Sequence, residues 1–207
     1  TDMNAAMEAM AAELDRKGQR CFVIPGGGSN ATGALGYVNA ALERAQQAND
    51  QSLVIDCLVH ATGSAGTQAG FVAGMVGART GIPVLGIGVR APDKVQHANV
   101  LKLANATTSH LGLGDLVSAD DVLVNCAYVG QGYGISTEAS LEAIDLLAKT
   151  EGILLDPVYS AKGMAGLIDL IRRGEFSADQ NIVFLHTGGS QALFAYRTEF
   201  NVPHYRL

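Results

Sequence analysis

The chain has 207 residues, 48% hydrophobic and only 16% charged, so it holds enough apolar material for one large, well-buried domain and lacks a disorder signature. A formal net charge of −6 with no basic cluster argues against nucleic acid and anionic membrane surfaces. No apolar run approaches the ~20 residues of a membrane span, no signal peptide is visible, and Cys21, Cys57 and Cys126 form no CxxC pair, so a cytoplasmic protein with reduced thiols is expected.

Apolar residues at Met3, Met7, Met10 and Leu14 recur at helical spacing and predict a helix over 2–17, with Gly18 as its C-cap. Residues 20–25 (RCFVIP) read as a short buried strand closed by Gly26-Gly27-Gly28. Ser29 and Asn30 are N-cap types for a helix over 33–49. The run 53–60 (LVIDCLVH) predicts a strand, followed by the loop Ala61-Thr62-Gly63-Ser64-Ala65-Gly66-Thr67 and a helix to about Thr80. Val84–Val89 is another apolar strand, a helix follows from about 92 to 106, and 122–124 is a short strand candidate. The stretch 126–135 is glycine-rich and aromatic, without a clear period. A helix over 137–150 starts at Thr137, 156–159 reads as extended, and 161–173 is a helix ended by Gly174. Residues 181–186 (NIVFLH) form the last strand, followed by Thr187-Gly188-Gly189-Ser190 and a short helix to Tyr196.

Strands that are apolar throughout and separated by helices of ten or more residues imply parallel pairing with right-handed crossovers. The fold class is therefore α/β, a three-layer open and mostly parallel sheet. Low charge content also favours a subunit interface. The sequence contains no repeat, and the glycine triplet after Pro25 is the one candidate domain boundary.

In such a sheet, ligands sit outside the carboxyl ends of the strands. A strand running into Ala-Thr-Gly-Ser-Ala-Gly-Thr and then a helix offers bare backbone N–H groups, small side chains, hydroxyls and a positive helix end, the components of a phosphate nest. A tight βα turn that needs glycine for its backbone angles explains the same residues equally well. Walker A chemistry is excluded because Thr67, not Lys, follows Gly66. A dinucleotide site lacks its acidic residue at the end of the second strand, near Gly88-Val89-Arg90. A single small phosphate ester remains. Two further turns, 26–30 and 186–190, also follow strands; the first serves equally well as a linker.

Five segments in order, IPGGGSNATGALGYV (24–38), VHATGSAGTQAG (59–70), VGQGYGIST (129–137), LLDPVYSAKGMAGLID (154–169) and VFLHTGGSQALFAY (183–196), make the chain resemble the D-cysteine desulfhydrase and 1-aminocyclopropane-1-carboxylate deaminase family. That family uses pyridoxal 5'-phosphate on the tryptophan synthase β fold, also called fold type II. The resemblance implies that Thr62, Gly63, Ser64, Ala65, Gly66 and Thr67 bind the cofactor phosphate, and that Thr187 faces the pyridine nitrogen. It places Tyr133 and Tyr159 beside a small amino-acid substrate. By themselves these tyrosines serve equally as packing residues, and Thr187 as a helix N-cap.

Deaminases of the family carry Glu directly after the second tyrosine and Leu at the Thr187 position, whereas this chain has Ser160 and Thr187. A neutral hydroxyl opposite the ring nitrogen suits simple β-elimination. The resemblance therefore leans to carbon–sulfur lyases acting on L-cysteate or D-cysteine, with the deaminase as the alternative. The opening segment and the glycine triplet look closer to the sulfo-lyases, and Arg90 is either a sulfonate-holding or a surface residue. The family also implies a homodimer, and a division into 1–25, the remnant of a smaller N-terminal domain, and 26–207, the large phosphate-binding domain.

The family's Schiff-base lysine lies in an N-terminal motif that these residues do not contain. Lys17, Lys94, Lys102 and Lys149 fall on predicted helix faces, and Lys162 belongs to the family pattern in another role. The expectation is a carboxyl-terminal two-thirds whose missing N-terminal segment carries that lysine; a stand-alone module binding a small phosphorylated ligand is the non-catalytic alternative. His60, His97, His110, His186 and His204 show no metal-ligand spacing, and Ser64 lacks a GxSxG setting, so neither a metal site nor a serine hydrolase is expected.

Overall fold

A computed structural model describes residues 3–200. In chain order they form α1 (Met3–Arg16), α2 (Ala31–Asp50), β1 (Cys57–Thr62), α3 (Gly66–Gly77), β2 (Val84–Gly88), α4 (Asp93–His110), β3 (Leu123–Asn125), α5 (Glu138–Thr150), α6 (Ser160–Arg172) and β4 (Ile182–Leu185). The strands make one sheet in the order β3-β2-β1-β4, and every pairing is parallel. The chain is thus an open, three-layer α/β domain, as the apolar runs predicted.

The alternation of β1 builds the layers. Leu58 joins Ala41, Phe71, Val72, Met75, Val100 and Ala104, the faces of α2, α3 and α4. Cys57 and Val59 join Ala143, Ile144, Ala161, Ala165 and Leu170 on α5 and α6. Both faces of β1 are therefore covered, and all six of its residues are buried. The α2–α3 seam is tight enough to require glycine: a Cβ on Gly70 would sit 2.5 Å from the Cβ of Tyr37, and one on Gly74 would sit 2.6 Å from the Cβ of Ala41.

Helix boundaries follow local chemistry. The Asn30 carboxamide oxygen accepts from the Gly33 N–H at 2.8 Å and starts α2. Thr137 and Ser140 exchange side-chain-to-backbone hydrogen bonds at the start of α5 in a reciprocal capping box.

The segment 20–25 departs from its predicted strand. It pairs with no strand among the described residues, and Phe22, Val23 and Ile24 are exposed. Its apolar composition reflects surface that this domain leaves open, not burial in the sheet. The strand predicted over 53–60 begins only at Cys57, and Val54 is 71% exposed. Residues 157–159 form a turn leading into α6, because the Asp156 carboxylate draws the chain round: it accepts from the N–H groups of Val158, Tyr159 and Ser160. The last predicted helix is a 3-10 turn over Ser190–Phe194. Residue 2, the predicted start of the first helix, and His204 lie outside the described residues. No helix among the described residues is long and apolar enough to cross a membrane.

Candidate functional site

Because β1 and β4 are neighbours in a parallel sheet, the turns after them open at the same end. The turn after β1 is the predicted phosphate loop. Ala65 adopts a left-handed conformation with φ +72°, an expensive choice for a residue with a Cβ, and directs the chain into the first turn of α3. The N–H groups of Ser64 and Ala65 have no partner among the described residues, and the start of α3 adds the free donors of any helix N-terminus. These donors and the positive end of the helix are the chemistry that suits an anion.

The glycine triplet joins this loop and does not act as a free linker. The hydroxyls of Ser29 and Ser64 are 2.8 Å apart. A Cβ on Gly27, which has φ +71°, would meet the Ser64 Oγ at 2.5 Å, and one on Gly66 would meet the Ser29 Oγ at 2.6 Å. Two backbone turns are packed on each other with only hydroxyls between them. Beside them lies a cleft of about 800 Å³ whose lining includes Gly26, Ser29, Gly63, Ser64, Arg90 and Lys102. Arg90 and Lys102 make no ion pair among the described residues, so the cleft presents two free cations to an anionic group.

The predicted site residues divide by accessibility. Ser64 is exposed, Gly63 and Thr67 are half-buried, and Ala65 and Gly66 are buried at the turn. Thr62 turns its hydroxyl into the interior, where Oγ1 accepts from Gln96 Nε2 at 3.0 Å; it is 1% exposed and presents only backbone to the loop. Tyr159 donates its hydroxyl to the Ala61 carbonyl at 2.8 Å, and a Cβ on Gly63 would be 3.4 Å from its ring. The tyrosine therefore stands directly behind the phosphate loop. Burial, followed by the neighbouring Tyr37, Tyr133 and Asp156, pushes its pKa well above the ordinary phenol range, so it is a protonated donor. Tyr133 is 56% exposed on the glycine-rich loop.

Thr187 is exposed in the turn beyond β4, where Gly188 and Gly189 have φ of +92° and +100°. A Cβ on Gly189 would sit 2.9 Å from Asp156 Oδ1. Asp156 caps the turn that carries Tyr159, so this contact places the Thr187 turn and Tyr159 on one scaffold. His186 supports the turn: its Nδ1 accepts from the Gly188 N–H at 3.2 Å, and its Nε2–H donates to the Leu154 carbonyl at 3.0 Å.

Two contributors lie outside the predicted site residues. Tyr37 falls within a helical pattern, and only the fold sets it near Tyr159. Lys162 has no exposed surface; its Nζ donates to the carbonyls of Val129 at 2.7 Å and Gly132 at 2.8 Å. It pins the loop that carries Tyr133, and burial lowers its pKa.

The model of the family described as "Pyridoxal-phosphate dependent enzyme" matches residues 1–188. The chain belongs to this family. A solved structure titled as an ACC deaminase homologue is 34% identical over 96% of this chain, with a TM-score of 0.84. This chain spans 58% of that one. A hydrogen sulfide-producing enzyme from Fusobacterium nucleatum is 18% identical, covering 93% of this chain and 62% of its own, with a TM-score of 0.52. O-acetyl serine sulfhydrylase isoform 3 from Entamoeba histolytica is 14% identical, covering 93% and 59%, with a TM-score of 0.51. The latter two are likenesses of fold.

For a pyridoxal-phosphate dependent enzyme, the donor set fits the group. A phosphate needs several convergent N–H donors and no side chain in the way. Ser64, Ala65 and the first turn of α3 supply the donors, and the hydroxyls of Ser29 and Ser64 border the space.

Proposed function

We propose that the chain forms the cofactor-phosphate domain of a carbon–sulfur lyase that eliminates the β-substituent of a small sulfur-containing amino acid, L-cysteate or D-cysteine. One juxtaposition carries the reading: the phosphate loop, Tyr159 and the Thr187 turn meet at the carboxyl end of adjacent strands, linked through Ala61 and Asp156. The amide donors of residues 64–66 would hold the phosphate, and the Thr187 hydroxyl would serve the cofactor's ring nitrogen. When bound, the cofactor supplies an electron sink for the pair left at Cα.

The chain's own residues then position and protonate. Tyr159, a protonated phenol, orients the substrate; turned from the Ala61 carbonyl, its hydroxyl gives its one proton to the departing sulfur and regains one from solvent. Tyr133, exposed on its pinned loop, closes over the substrate's other side. The Cα–H bond breaks to a base, the Cβ–S bond breaks with its electron pair on sulfur, and hydrolysis of the released unsaturated amine gives pyruvate and ammonia with sulfite or sulfide. Arg90 and Lys102 favour a substrate with a second anion, which supports L-cysteate.

A lysine that joins the cofactor's aldehyde is expected from outside these 207 residues. Lys94, Lys102 and Lys149 are exposed on helices, Lys17 is exposed in the turn after α1, and Lys162 is committed to two carbonyls. The division into 1–25 and 26–207 and the homodimer belong to the same proposal.

A second reading is 1-aminocyclopropane-1-carboxylate deamination, favoured by the 34% identity to the ACC deaminase homologue. Against it, Ser160 stands where that activity uses Glu, and its Oγ is buried against Asp156 at 2.5 Å, out of reach of a substrate. Assaying 2-oxo acid release by the full-length protein separates the two. Pyruvate from L-cysteate or D-cysteine supports the lyase, and 2-oxobutyrate from 1-aminocyclopropane-1-carboxylate alone overturns it.

A further inference from the structure

Directly beneath the phosphate loop, three fully buried side chains each leave one polar atom without a partner: His60 Nε2, Gln68 Oε1 and Gln96 Oε1. They share one layer. His60 and Thr62 project from the same face of β1, and His60 is in register with Gly86 on β2. Gly86 has no side chain, and its place is filled by the Gln68 carboxamide, whose Cδ would be 2.6 Å from a Cβ there. Gln96 reaches the same layer from α4 through its bond to Thr62.

For His60 and Gln68 the chemistry of the unpaired atom is determined by a partner carbonyl, which only accepts. His60 Nδ1 lies 2.7 Å from the Ala61 carbonyl, which only accepts, so Nδ1 carries the proton and Nε2 is a bare lone pair. Gln68 Nε2 donates to the Leu123 carbonyl at 2.7 Å, which leaves its oxygen free. Gln96 places Nε2 on the Thr62 hydroxyl at 3.0 Å, which leaves its carboxamide oxygen free. Three acceptors therefore face the interior with no donor from the described residues. Native proteins rarely leave such groups unpaired.

We propose that His60, Gln68 and Gln96 hold internal water beneath the phosphate loop, and that this hydrated cluster is a positioning element for Thr62 and the loop it begins. A water molecule donates two hydrogen bonds, so one satisfies His60 Nε2 and a carboxamide oxygen, and a second completes the set. A metal cation is a poor tenant, because two carboxamides and a neutral imidazole offer no charge to offset its desolvation. Burial keeps His60 neutral, with its pKa lowered to about 4. Through the water, the carboxamide of Gln96 is held at both ends, and so is the hydroxyl at the last residue of β1. The inference stands independently of which amino acid the enzyme cleaves.

The test uses the full-length protein with pyridoxal 5'-phosphate bound. A high-resolution crystal structure should show density within about 3 Å of His60 Nε2 and of a Gln68 or Gln96 carboxamide oxygen. Nitrogen-15 NMR of His60 should show the Nδ1-protonated tautomer with Nε2 accepting a hydrogen bond. A dry interior, or a proton on Nε2, overturns the water site; anomalous scattering from a metal there does the same. For the positioning role, Gln96→Met keeps side-chain length and removes both polar atoms. Cofactor dissociation should rise roughly tenfold in a variant whose unfolding midpoint shows it folded; unchanged dissociation overturns that role. Should the variant fail to fold, the density and tautomer of the wild type still decide the site.

Discussion

Tyr159 shows how one side chain serves both fold and site. Its hydroxyl donates to the Ala61 carbonyl, and the same carbonyl takes the His60 Nδ1–H. Tyr159→Phe removes one hydrogen bond from the folded state and should cost about 1 kcal/mol in a denaturant titration. If the hydroxyl also handles a substrate proton, 2-oxo acid release should fall about 100-fold, far beyond what that instability explains. Arg90→Ala should raise KM for L-cysteate about tenfold and leave D-cysteine nearly unaffected, as steady-state assays on both substrates would show.

His60 also predicts a pH dependence. Its pKa falls from 6.5 in the unfolded chain to about 4 in the fold, because burial disfavours the cation. The unfolded state therefore binds the extra proton first. The contribution to stability is fully present above pH 6.5 and is lost as pH drops from 6.5 towards 4, by up to roughly 3 kcal/mol. Urea midpoints across that window should show the slope, and His60→Gln should flatten it.

At the scale of elements, the site depends on how closely α2 lies on α3. Gly70→Ala places a methyl against Tyr37 and the Ala34 carbonyl, and backbone cannot yield as a flexible side chain does. It should cost about 1–3 kcal/mol in chemical denaturation and shift the Ser29–Ser64 contact, because α2 carries the glycine triplet at its start. The helices were legible because apolar spacing and caps such as Asn30 and Thr137 are local signals. The strand read into 20–25 was not, because an apolar run reports only that surface wants covering. Phe22 at 82% exposure and Ile24 at 68% show that the cover is not supplied by the described residues.

Across the whole molecule, the sheet order brings the turns after β1 and β4 together, and the one buried lysine among the described residues, Lys162, is consumed in fixing the Tyr133 loop. Full-length protein should therefore show a visible-absorbing cofactor band that borohydride bleaches. Peptide mapping should find the label on a lysine outside these 207 residues, and label on Lys162 would reverse its assignment. The sequence alone determined the class of the fold and the place of the glycine-rich turn after β1, because apolar strands between helices and a glycine-rich strand-to-helix turn are written in contiguous residues. It also carried Thr187, Tyr133 and Tyr159 as motif positions. Only the tertiary structure decided that Thr62 faces inward, that the Gly26–Gly28 turn closes on the phosphate loop, that Tyr37 joins Tyr159, and that His60, Gln68 and Gln96 share one buried layer. Each of those depends on which strand lies beside which and on what a missing Cβ allows to approach, and neither is encoded by neighbours in the chain.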